Sequence, residues 1–494
     1  MLADRRVKIV ATIGPSTQSE EALEKTIRAG MNVARLNFSH GTHENHLQVI
    51  RSLRKLSKDL NAPVTILQDL QGPKIRVGKF KNGSILLTPG EKISITTRDL
   101  IGEPGLIPSD FKNLHLTCKE GTKILLDDGL LELRVDAVNG QDINATVIYG
   151  GLLKDRKGMN VPGGSLAVDC LSEKDLEDLE FGLKNDVDCI ALSFVRQGKD
   201  IRKLRDIIQQ RQSNAKIVAK IEMLEALDNL EEIVRLSDIV MVARGDLAIE
   251  VGQTQLPARQ KQIISLCNEM GKPVITATQM LDSMVENPRP TRAEITDVAN
   301  AVLDGSDALM LSAESASGKY PFRCIRTMHE IICEVERMEK NYYHLSLESD
   351  MLSSAESIAA SACVCALKLN AVAIVSLTTT GKTASIISGY RPKSKLIAVT
   401  HDLNVLNRLE LTWGLQTILI QTYQKIEDVI EQVETKLIQY GLAKTGDRII
   451  LTYGYPVREG VKTNMLHVYT LKGENLKKLF DDNIPLRCRK EMLF

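Results

Sequence analysis

The chain has 494 residues, more than one typical domain holds, so we expect three or four structural units. Lys plus Arg and Asp plus Glu both number 63, and this balance argues against binding to nucleic acid or to an anionic membrane. Nine scattered cysteines, with no apolar leader and no long apolar stretch, predict a cytoplasmic protein.

Short apolar strands alternate with amphipathic helical patterns through the first large region. The predicted strands are 8–14, 32–39, 64–70, 189–194, 216–222, 238–246, 273–280 and 308–315. A helical pattern follows each of these strands within a few residues, except the third. Eight strands alternating with helices indicate an α/β fold with a parallel sheet, closed into a (β/α)8 TIM barrel.

The segment after the third strand is instead all-β. Asn-Gly, Pro-Gly and Asp-Gly pairs separate its short strands, and a helical pattern resumes behind Ser172, which we predict to be the helix N-cap. An antiparallel β domain therefore interrupts the third βα loop, at the catalytic end of the barrel, where it could act as a lid. We place the barrel domain at 1–70 and 169–345, and this lid domain at 71–168.

A second α/β unit begins near residue 353. Its predicted strands are 371–377, 395–400, 416–420 and 447–453, with helices between them and a last strand near 466–471. We assign 346–475 to a C-terminal α/β domain and 476–494 to a polar extension without an assigned role.

Side chains at the ends of barrel strands are the first candidates for a site, because barrel active sites form there. Alternation along the fifth strand places Lys220 and Glu222 on one side, which faces the barrel interior if Ile217 and Ile221 pack on helices. Taken alone, this pair is better explained as a structural ion pair. Asp246, at the end of the sixth strand, adds a second carboxylate, and two such oxygen ligands suit Mg2+.

Other strand ends contribute more polar side chains, and Arg35 among them could clamp a phosphate through its planar guanidinium. Each has a structural explanation by itself, but burying several cations and two carboxylates without a substrate or metal is costly. The combination favours electrostatic catalysis on a phosphorylated substrate with a metal ion. The candidates are Arg35, Asn37 and Ser39 on the second strand, Asp69, Lys74 and Arg76 at the end of the third, Thr276 and Thr278 at the end of the seventh, and Ser312 and Glu314 at the end of the eighth.

Several sequence blocks closely resemble those of pyruvate kinases, in the same order and over nearly the whole chain. They are ATIGPS, ARLNFSHG, QDLQGPKIR, KGMNVPG, LSFVR, AKIE, MVARGDL, ATQML, PTRAE and MLSAESASGKYP. The resemblance implies a glycolytic enzyme that depends on Mg2+, or Mn2+ in its place, and converts phosphoenolpyruvate and ADP to pyruvate and ATP. It also implies a β-barrel lid domain inserted in the TIM barrel, a C-terminal α/β domain and a homotetramer.

The resemblance assigns roles to the strand-end residues. Glu222 and Asp246 would hold the Mg2+, and Lys220 would face the transferring phosphoryl group and the developing enolate. Arg35 would hold the phosphoryl group. The substrate carboxylate would bind the backbone N–H groups of Gly245 and Asp246, together with Thr278.

The nucleotide and the proton donor complete the implied site. Lys157, in the hinge of the lid, would reach the ADP phosphates when the lid closes. Thr278 and Ser312 are equal candidates for the donor that protonates the enolate, directly or through water. The nucleotide-binding residues would be Arg76, Lys157, Asn37 and His40.

One position departs from most of the family. Many pyruvate kinases require K+, at a site that matches Asn37, Ser39, Asp69 and the carbonyl of Leu70, and carry Glu where this chain has Lys74. A fixed ammonium near that site could replace the monovalent charge, and in the family this exchange accompanies K+ independence. We therefore expect that K+ is not required.

In the C-terminal domain, SLTTTGKTAS lies between an apolar strand and a helix. We reject a P-loop here because Ser376 stands where the upstream glycine is required. Hydroxyl and N–H groups at a helix N-terminus still suit a phosphate, and in pyruvate kinases this loop often binds a sugar-phosphate effector. A polar loop without a ligand is the alternative. The candidates for binding a sugar-phosphate or nucleotide effector are Thr378, Thr379, Thr380, Gly381, Lys382 and Thr383, with YGYPVREGVKTN as a cover.

Two other functions remain open. A metal-dependent barrel lyase or aldolase acting on pyruvate or phosphoenolpyruvate would also pair Glu and Asp with Mg2+, but it leaves the lid and Lys157 unexplained. A catalytically silent binding protein predicts damage at Lys220, Glu222 or Asp246, and all three are present.

Overall fold

A closed barrel of eight parallel strands forms the centre of the computed structural model, which describes residues 5–164, 169–338, 342, 353–456 and 461–473. With all strands numbered in chain order, the barrel strands are β1 (Lys8–Ile13), β2 (Val33–Asn37), β3 (Thr65–Asp69), β12 (Cys189–Leu192), β13 (Lys216–Ile221), β14 (Ile239–Ala243), β15 (Val274–Ala277) and β16 (Ala308–Leu311). They pair in the order β1-β16-β15-β14-β13-β12-β3-β2, so the predicted (β/α)8 barrel is confirmed.

Alternation along each barrel strand separates an inner from an outer apolar layer. In β13, Val218 packs in the barrel interior, whereas Ile217 and Ile221 pack outward against the helices. Burial of each such aliphatic side chain stabilises the fold by about 1.5–3 kcal/mol. The side predicted for Lys220 and Glu222 is therefore confirmed, and both point into the barrel above its apolar layer.

Helices cover the outside of the barrel. The predicted N-cap Ser172 is confirmed, because its hydroxyl accepts the Asp175 N–H at 3.1 Å and the Asp175 carboxylate bonds back to it. The helices are α1 (Glu20–Ala29), α2 (His43–Asp59), α4 (Glu173–Lys184), α5 (Gly198–Gln210), α6 (Leu224–Asp228), α7 (Leu230–Leu236), α8 (Arg244–Val251), α9 (Leu256–Glu269), α10 (Arg292–Leu303), α11 (Ala313–Ala316) and α12 (Pro321–Val335), with a 3₁₀ turn at Asp282–Val285.

The sixth barrel strand is shorter than predicted. β14 ends at Ala243 and α8 begins at once, so Gly245 and Asp246 lie in the first turn of a helix and not at a strand end. The apolar run through this segment fits a buried strand or a buried helix equally well, which is why its period misled the prediction. The first N–H groups of a helix have no partner within the helix, so those of Gly245 and Asp246 can bind an anionic group.

The lid domain consists of two sheets around one hydrophobic core. A six-stranded sheet has the order β11-β7-β8-β9-β5-β6, and a two-stranded sheet pairs β10 with β4. The prediction of a wholly antiparallel domain is wrong at one edge, where β5 and β6 are parallel. The elements are β4 (Ser84–Leu87), β5 (Lys92–Thr96), β6 (Leu106–Pro108), α3 (Leu114–Thr117), β7 (Lys123–Leu126), β8 (Leu131–Asn139), β9 (Asp142–Tyr149), β10 (Gly151–Lys154) and β11 (Met159–Asn160).

The C-terminal domain is a five-stranded sheet with helices, and it contacts the barrel at the end where the strands begin. Lys8, the first residue of β1, donates to the Leu415 carbonyl at 2.6 Å, and Arg6 lies 5.7 Å from the ring centre of Trp413. The domain therefore lies opposite the mouth of the barrel. Its elements are α13 (Ser354–Lys368), β17 (Ala373–Leu377), α14 (Lys382–Gly389), β18 (Lys395–Thr400), α15 (Leu403–Leu409), β19 (Leu415–Leu419), α16 (Ile426–Gln439), β20 (Arg448–Tyr453) and β21 (Met465–Thr470). The strands pair in the order β19-β18-β17-β20-β21, and β21 is antiparallel to β20.

Some predictions fall outside the described residues. These are the domain limits at 168 and 345 and the extension 476–494, and the limits as a whole stay predictions. In the parts of the chain that the structure describes, eight cysteines are free thiols. A membrane-crossing helix, which would have to be long and apolar, is not found among those same parts.

Candidate active site

Lys220 is at the centre of a charged cluster in the barrel mouth. Its ammonium donates to the Ser193 hydroxyl at 2.7 Å and lies 2.8 Å from Glu222 Oε1 and 3.3 Å from Asp69 Oδ1. Burial opposes the charge most strongly, but the two carboxylates together outweigh it and raise the pKa of Lys220. The site therefore holds a fixed positive charge at neutral pH.

Asp69, at the end of β3, also binds a second cation. Arg35 Nε donates to Asp69 Oδ2 at 2.7 Å, and Arg35 Nη1 donates to the Thr12 hydroxyl at 2.9 Å. Burial by itself would raise the pKa of Asp69 most, but the charges of Lys220 and Arg35 overcome it and lower that pKa. The carboxylate thus stays ionised and orients two cations toward the mouth.

Glu222 and Asp246 are the two carboxylates predicted to bind a metal. The Glu222 side chain is 1% exposed, and its Oε2 accepts the Phe194 N–H at 2.8 Å. Burial raises the pKa of Glu222, and the nearby charge of Asp246 raises it further, against the opposing effect of Lys220. Carboxylate oxygens are the ligands that a divalent cation such as Mg2+ prefers, and its charge would stabilise the ionised form of Glu222.

The number of carboxylates at the site indicates how a metal would be held. Among the described residues, no group of three or more His, Cys, Asp and Glu side chains is arranged to bind a metal ion. Mg2+ needs only one or two protein carboxylates, because substrate oxygens and water fill its other positions. Glu222 and Asp246 therefore fit Mg2+ or Mn2+ bound together with a substrate.

Thr278 contacts the first turn of α8. The Gly245 N–H donates to the Thr278 hydroxyl at 2.8 Å, and that hydroxyl donates to the Ala277 carbonyl at 2.6 Å. Thr278 has a φ of +70°, which costs a β-branched residue about 1–3 kcal/mol. Arg244 supports this turn, because its Nε donates to the Ala277 carbonyl at 3.1 Å and its Nη1 to Asp297 at 2.9 Å. These contacts hold the Thr278 hydroxyl against the start of α8.

Two side chains expected at the mouth do not face it. Thr276 is fully buried, and its hydroxyl shares a 2.7 Å hydrogen bond with Ser306. The reason is alternation, since its neighbour Ile275 points into the barrel interior. Glu314 is also buried and accepts the Ser312 N–H at 2.7 Å, so it stabilises the turn before α11. Ser312 itself lies at that turn, and its role as a proton donor stays a prediction.

Ser193 and Thr12 are site residues that the sequence reasoning missed. The Ser193 hydroxyl accepts from Lys220 and donates to the Leu70 carbonyl at 2.7 Å, while Thr12 accepts from Arg35. A signal for Ser193 was present, because it directly follows β12 within the LSFVR block. The rule that polar residues at strand ends are candidates applies to this strand as well.

The predicted nucleotide residues Arg76 and Lys157 are neighbours at the base of the lid. Arg76 forms an antiparallel bridge with Gly158, and the Val77 N–H donates to the Lys157 carbonyl at 2.9 Å. The Lys157 ammonium lies 2.7 Å from Asp127 Oδ1. His40 is exposed beyond β2, and its carbonyl is 2.9 Å from His46 Nε2.

The residues of the predicted monovalent cation site lie where β2 and β3 end. Asn37 is the strand partner of Asp69, and its Oδ1 accepts the Ser39 N–H at 3.1 Å. The Leu70 carbonyl accepts the Ser193 hydroxyl. The Lys74 ammonium lies 3.8 Å from Asp128 Oδ1 in the lid, so its carboxylate partner in this structure belongs to the lid domain.

A cleft of about 850 Å3 separates the lid from the barrel helix α8. Lys74, Asp128 and Gly129 line it from the lid side, and Gly245 and Asp246 line it from the helix. This volume lies within the range of small-molecule sites, which is about 300–1,000 Å3. The cleft therefore brings Asp246 of the barrel and Lys74 of the lid to one opening.

The effector candidates surround a separate cavity of about 720 Å3 in the C-terminal domain. The Thr378 hydroxyl accepts the Gly381 N–H at 2.8 Å, which shapes the turn before α14. Lys382 and Lys462 both line the cavity, so it carries positive charge. Part of the predicted cover, residues 457–460, lies outside the described residues. The candidates on the cavity wall are Thr378, Thr379, Thr380, Lys382 and Thr383.

Comparison with known proteins gives consistent results for both parts of the chain. Residues 4–325 match the family model for the pyruvate kinase barrel domain, and residues 356–469 match that for the pyruvate kinase alpha/beta domain. A pyruvate kinase of Staphylococcus aureus (strain MRSA252) is 42% identical over 474 residues, 95% of this chain and 81% of that protein. One of Geobacillus stearothermophilus is 42% identical over 472 residues, 94% of this chain and 80% of that protein. The crystal structure of a pyruvate kinase from Cryptosporidium parvum superposes with a TM-score of 0.89 at 36% identity, covering 95% of this chain and 97% of that one.

Proposed function

The chain belongs to the pyruvate kinase family of phosphotransferases, and on that premise we propose that it transfers the phosphoryl group of phosphoenolpyruvate to ADP, giving pyruvate and ATP in glycolysis. The observation that carries the proposal is the setting of Lys220, whose ammonium lies within 3.3 Å of carboxylate oxygens of Asp69 and Glu222 in the barrel mouth. Phosphoryl transfer by electrostatic stabilisation requires a fixed cation at the site, and Asp69 and Glu222 hold Lys220 in that position.

Binding of phosphoenolpyruvate would use three sides of the mouth. The Arg35 guanidinium, which Asp69 orients, would donate parallel hydrogen bonds to oxygens of the phosphoryl group. The N–H groups of Gly245 and Asp246, at the start of α8, would hold the substrate carboxylate, where the helix dipole favours negative charge. Thr278 would complete this contact. Such fixed contacts align the phosphoryl group for attack by ADP.

Charge that develops during transfer would be met by Lys220 and the carboxylate pair. Glu222 and Asp246 would hold Mg2+ or Mn2+, which neutralises charge on the carboxylate and phosphoryl oxygens when bound. Lys220 would stabilise the phosphoryl group in transit and then the enolate oxygen that remains. Its ammonium is already oriented by Ser193, so little reorganisation is needed at that moment.

Protonation of the enolate carbon completes the reaction. Thr278 and Ser312 are the candidate donors, and a hydroxyl with an ordinary pKa needs a relay, directly from a neighbour or through water. The Thr278 hydroxyl lies against the Gly245 N–H, next to the proposed carboxylate site. This position supports Thr278 as the donor, and Ser312 is the second candidate.

The nucleotide would bind between the lid and the barrel. Arg76 and Lys157 would contact the ADP phosphates, and Asn37 and His40 would line the nucleotide from the barrel side. Closure of the lid would bring Lys157 to the phosphates and exclude water, which protects the phosphoryl group from hydrolysis.

Three further properties belong to the proposal. Lys74 supplies the charge that K+ supplies elsewhere in the family, so the enzyme works without K+. The cavity of the C-terminal domain, with Lys382 and Lys462 on its wall, binds a sugar-phosphate or nucleotide effector. The chain assembles as a homotetramer, as family members usually do.

The test is an assay of pyruvate formation from phosphoenolpyruvate with Mg2+. We expect formation only when ADP is present, no requirement for K+, and a response to at least one member of a panel of sugar phosphates and AMP. Pyruvate formation without ADP would instead favour the alternative, a metal-dependent lyase or aldolase acting on pyruvate or phosphoenolpyruvate. No activity under any of these conditions would contradict both.

A further inference from the structure

A short acidic turn of the lid lies beside Lys157, the lysine proposed to contact the ADP phosphates. The turn starts at Asp127, directly after β7. Asp127 Oδ1 is 2.7 Å from the Lys157 ammonium, and the two side chains are 17% and 40% exposed. A lysine carries its charge on a flexible stem, so binding a phosphate costs the rotamer freedom of that stem. A partner that orients the stem beforehand reduces this cost.

Backbone pairing holds the two residues side by side. β7 and β11 are antiparallel, with Leu126 opposite Met159. The Asp127 N–H donates to the Gly158 carbonyl at 3.0 Å, so the ladder continues one residue beyond the strands. The sheet therefore pairs Asp127 with Gly158, the residue next to Lys157, so the backbone brings Asp127 and Lys157 close together before their charges attract each other.

The conformation of the turn directs it toward the barrel. Asp127, Asp128 and Gly129 have consecutive positive φ angles of 50°, 55° and 84°. Non-glycine residues rarely adopt this region, and Asp and Asn tolerate it best. A Cβ at Gly129 would lie 3.9 Å from Ile249 Cγ1, so the turn approaches α8 across the cleft. Strained residues of this kind cluster at sites of function.

The geometry points to Asp127 as a positioning residue that orients the Lys157 ammonium for the phosphates of ADP. This inference rests on the proposed function and adds a residue to the nucleotide site. Asp127 accepts one of the three N–H bonds of the ammonium and leaves two for phosphate oxygens. The opposite effect, in which Asp127 competes with the phosphates for Lys157, predicts tighter ADP binding when the carboxylate is removed.

The carboxylate also favours the ammonium form of Lys157. Its hydrogen bond to the ammonium, ahead of the small opposing effect of burial, raises the pKa of Lys157, and the charges of Asp127 and Asp128 add to this. Lysine is protonated at neutral pH in any case, so the contribution of Asp127 is the orientation of the ammonium and not its charge.

The first variant is Asp127→Asn, which removes the charge and keeps a residue that tolerates a positive φ. We expect the dissociation constant of ADP, measured by calorimetry with Mg2+, to rise about threefold to fivefold, as suits a partly exposed ion pair. The KM for ADP rises with it, while the KM for phosphoenolpyruvate and kcat stay near the wild-type values. Asp127→Glu restores part of the ADP affinity, since it returns the carboxylate.

A double-mutant cycle separates positioning from a general effect on the lid. In a Lys157→Met background, Asp127→Asn produces no further loss of ADP affinity, because the carboxylate acts through the ammonium. The matched control is Asp142→Asn, which removes another lid carboxylate, paired with Arg98 at 2.9 Å. The control changes ADP affinity by less than about twofold.

Unchanged or tighter ADP binding by Asp127→Asn would overturn the inference. So would an equal loss of affinity in the presence and in the absence of Lys157. Because binding is measured directly, a wild-type protein that binds ADP but makes no pyruvate would contradict the proposed function alone. A wild-type protein that does not bind ADP would contradict both.

Discussion

The ammonium of Lys220 and the hydroxyl of Ser193 are 2.7 Å apart, and the same hydroxyl donates to the Leu70 carbonyl at 2.7 Å. The residues come from three adjacent barrel segments, at the ends of β13, β12 and β3. The serine therefore fixes the lysine through a backbone group that cannot move independently of the barrel.

Replacement of Ser193 tests this fixation. Ser193→Ala removes one bond to a charged group, so we expect kcat for pyruvate formation to fall about tenfold, with little change in the KM for phosphoenolpyruvate. Ser193→Thr keeps the hydroxyl and serves as the matched control. An alanine variant with the wild-type kcat would show that Asp69 and Glu222 position the lysine without help.

Replacement of Lys220 tests the proposed stabilisation of the enolate. Lys220→Met removes the cation and is expected to lower kcat by about 10²–10³-fold, the cost of losing one fixed group at a developing oxyanion. It also leaves Asp69 and Glu222 buried without their shared partner, which lowers stability in urea unfolding by about 3 kcal/mol. Lys216→Met, at the start of the same strand, is the control. A kcat for Lys220→Met within tenfold of the wild-type value would exclude the proposed role.

The monovalent cation is tested at Lys74. We expect no rise in the wild-type rate when KCl is added at constant ionic strength. Lys74→Glu should be slow without K+ and should speed up when K+ is added, because it replaces the built-in positive charge by a negative one. Asp128→Asn frees the same ammonium and keeps its charge, so this control should remain independent of K+. Strong K+ activation of the wild-type enzyme would refute the prediction.

The pH dependence of stability has one source far from the site, at His329 on α12. Arg5 Nη1 lies 3.3 Å from His329 Nδ1, and burial, followed by the charge of Arg5, lowers the pKa of His329 to about 3. The unfolded chain binds a proton near pH 6.5 and the folded chain does not. His329 therefore leaves the unfolding free energy unchanged above that pH. As the pH falls from about 6.5 toward 3, protonation of the unfolded chain lowers the unfolding free energy.

A variant at His329 measures this loss. Between pH 7 and pH 4 the residue should cost the wild-type protein about 2–3 kcal/mol of unfolding free energy. His329→Gln does not titrate, so its stability in urea should fall by correspondingly less over the same range. Parallel pH profiles of the two proteins would show that His329 does not titrate as described.

The effector cavity is tested through its lysine at the start of α14. Lys382→Ala removes a cation from the cavity wall, so the response of the enzyme to an activating sugar phosphate or nucleotide should be lost or shifted to much higher concentrations. The measurement is the activation curve at subsaturating phosphoenolpyruvate. An unaltered activation curve would place the effector elsewhere, and a wild-type enzyme that ignores the whole panel would remove the effector from the proposal.

The sequence predicted the parts of the site that depend on strand periodicity. Alternation put Lys220 and Glu222 on the inner side of β13, and the outward packing of Ile217 and Ile221 confirms it. Alternation also puts Thr276 and Thr278 on one side of the seventh strand, and the inward packing of Ile275 and Ala277 shows that this is the outer side. Thr278 reaches the site only because the chain turns there with a positive φ, which strand periodicity does not anticipate.

What the sequence determined by itself was the barrel, the place of the lid insertion and the polar residues that could meet at the mouth, because period and strand order are local properties of the chain. Only the tertiary structure decided which of them meet. It joined Lys220 to Asp69 and Ser193, turned Glu314 into a backbone acceptor and paired Lys157 with Asp127. These contacts depend on the closure of the barrel and the register of the lid sheet, which bring together residues far apart along the chain.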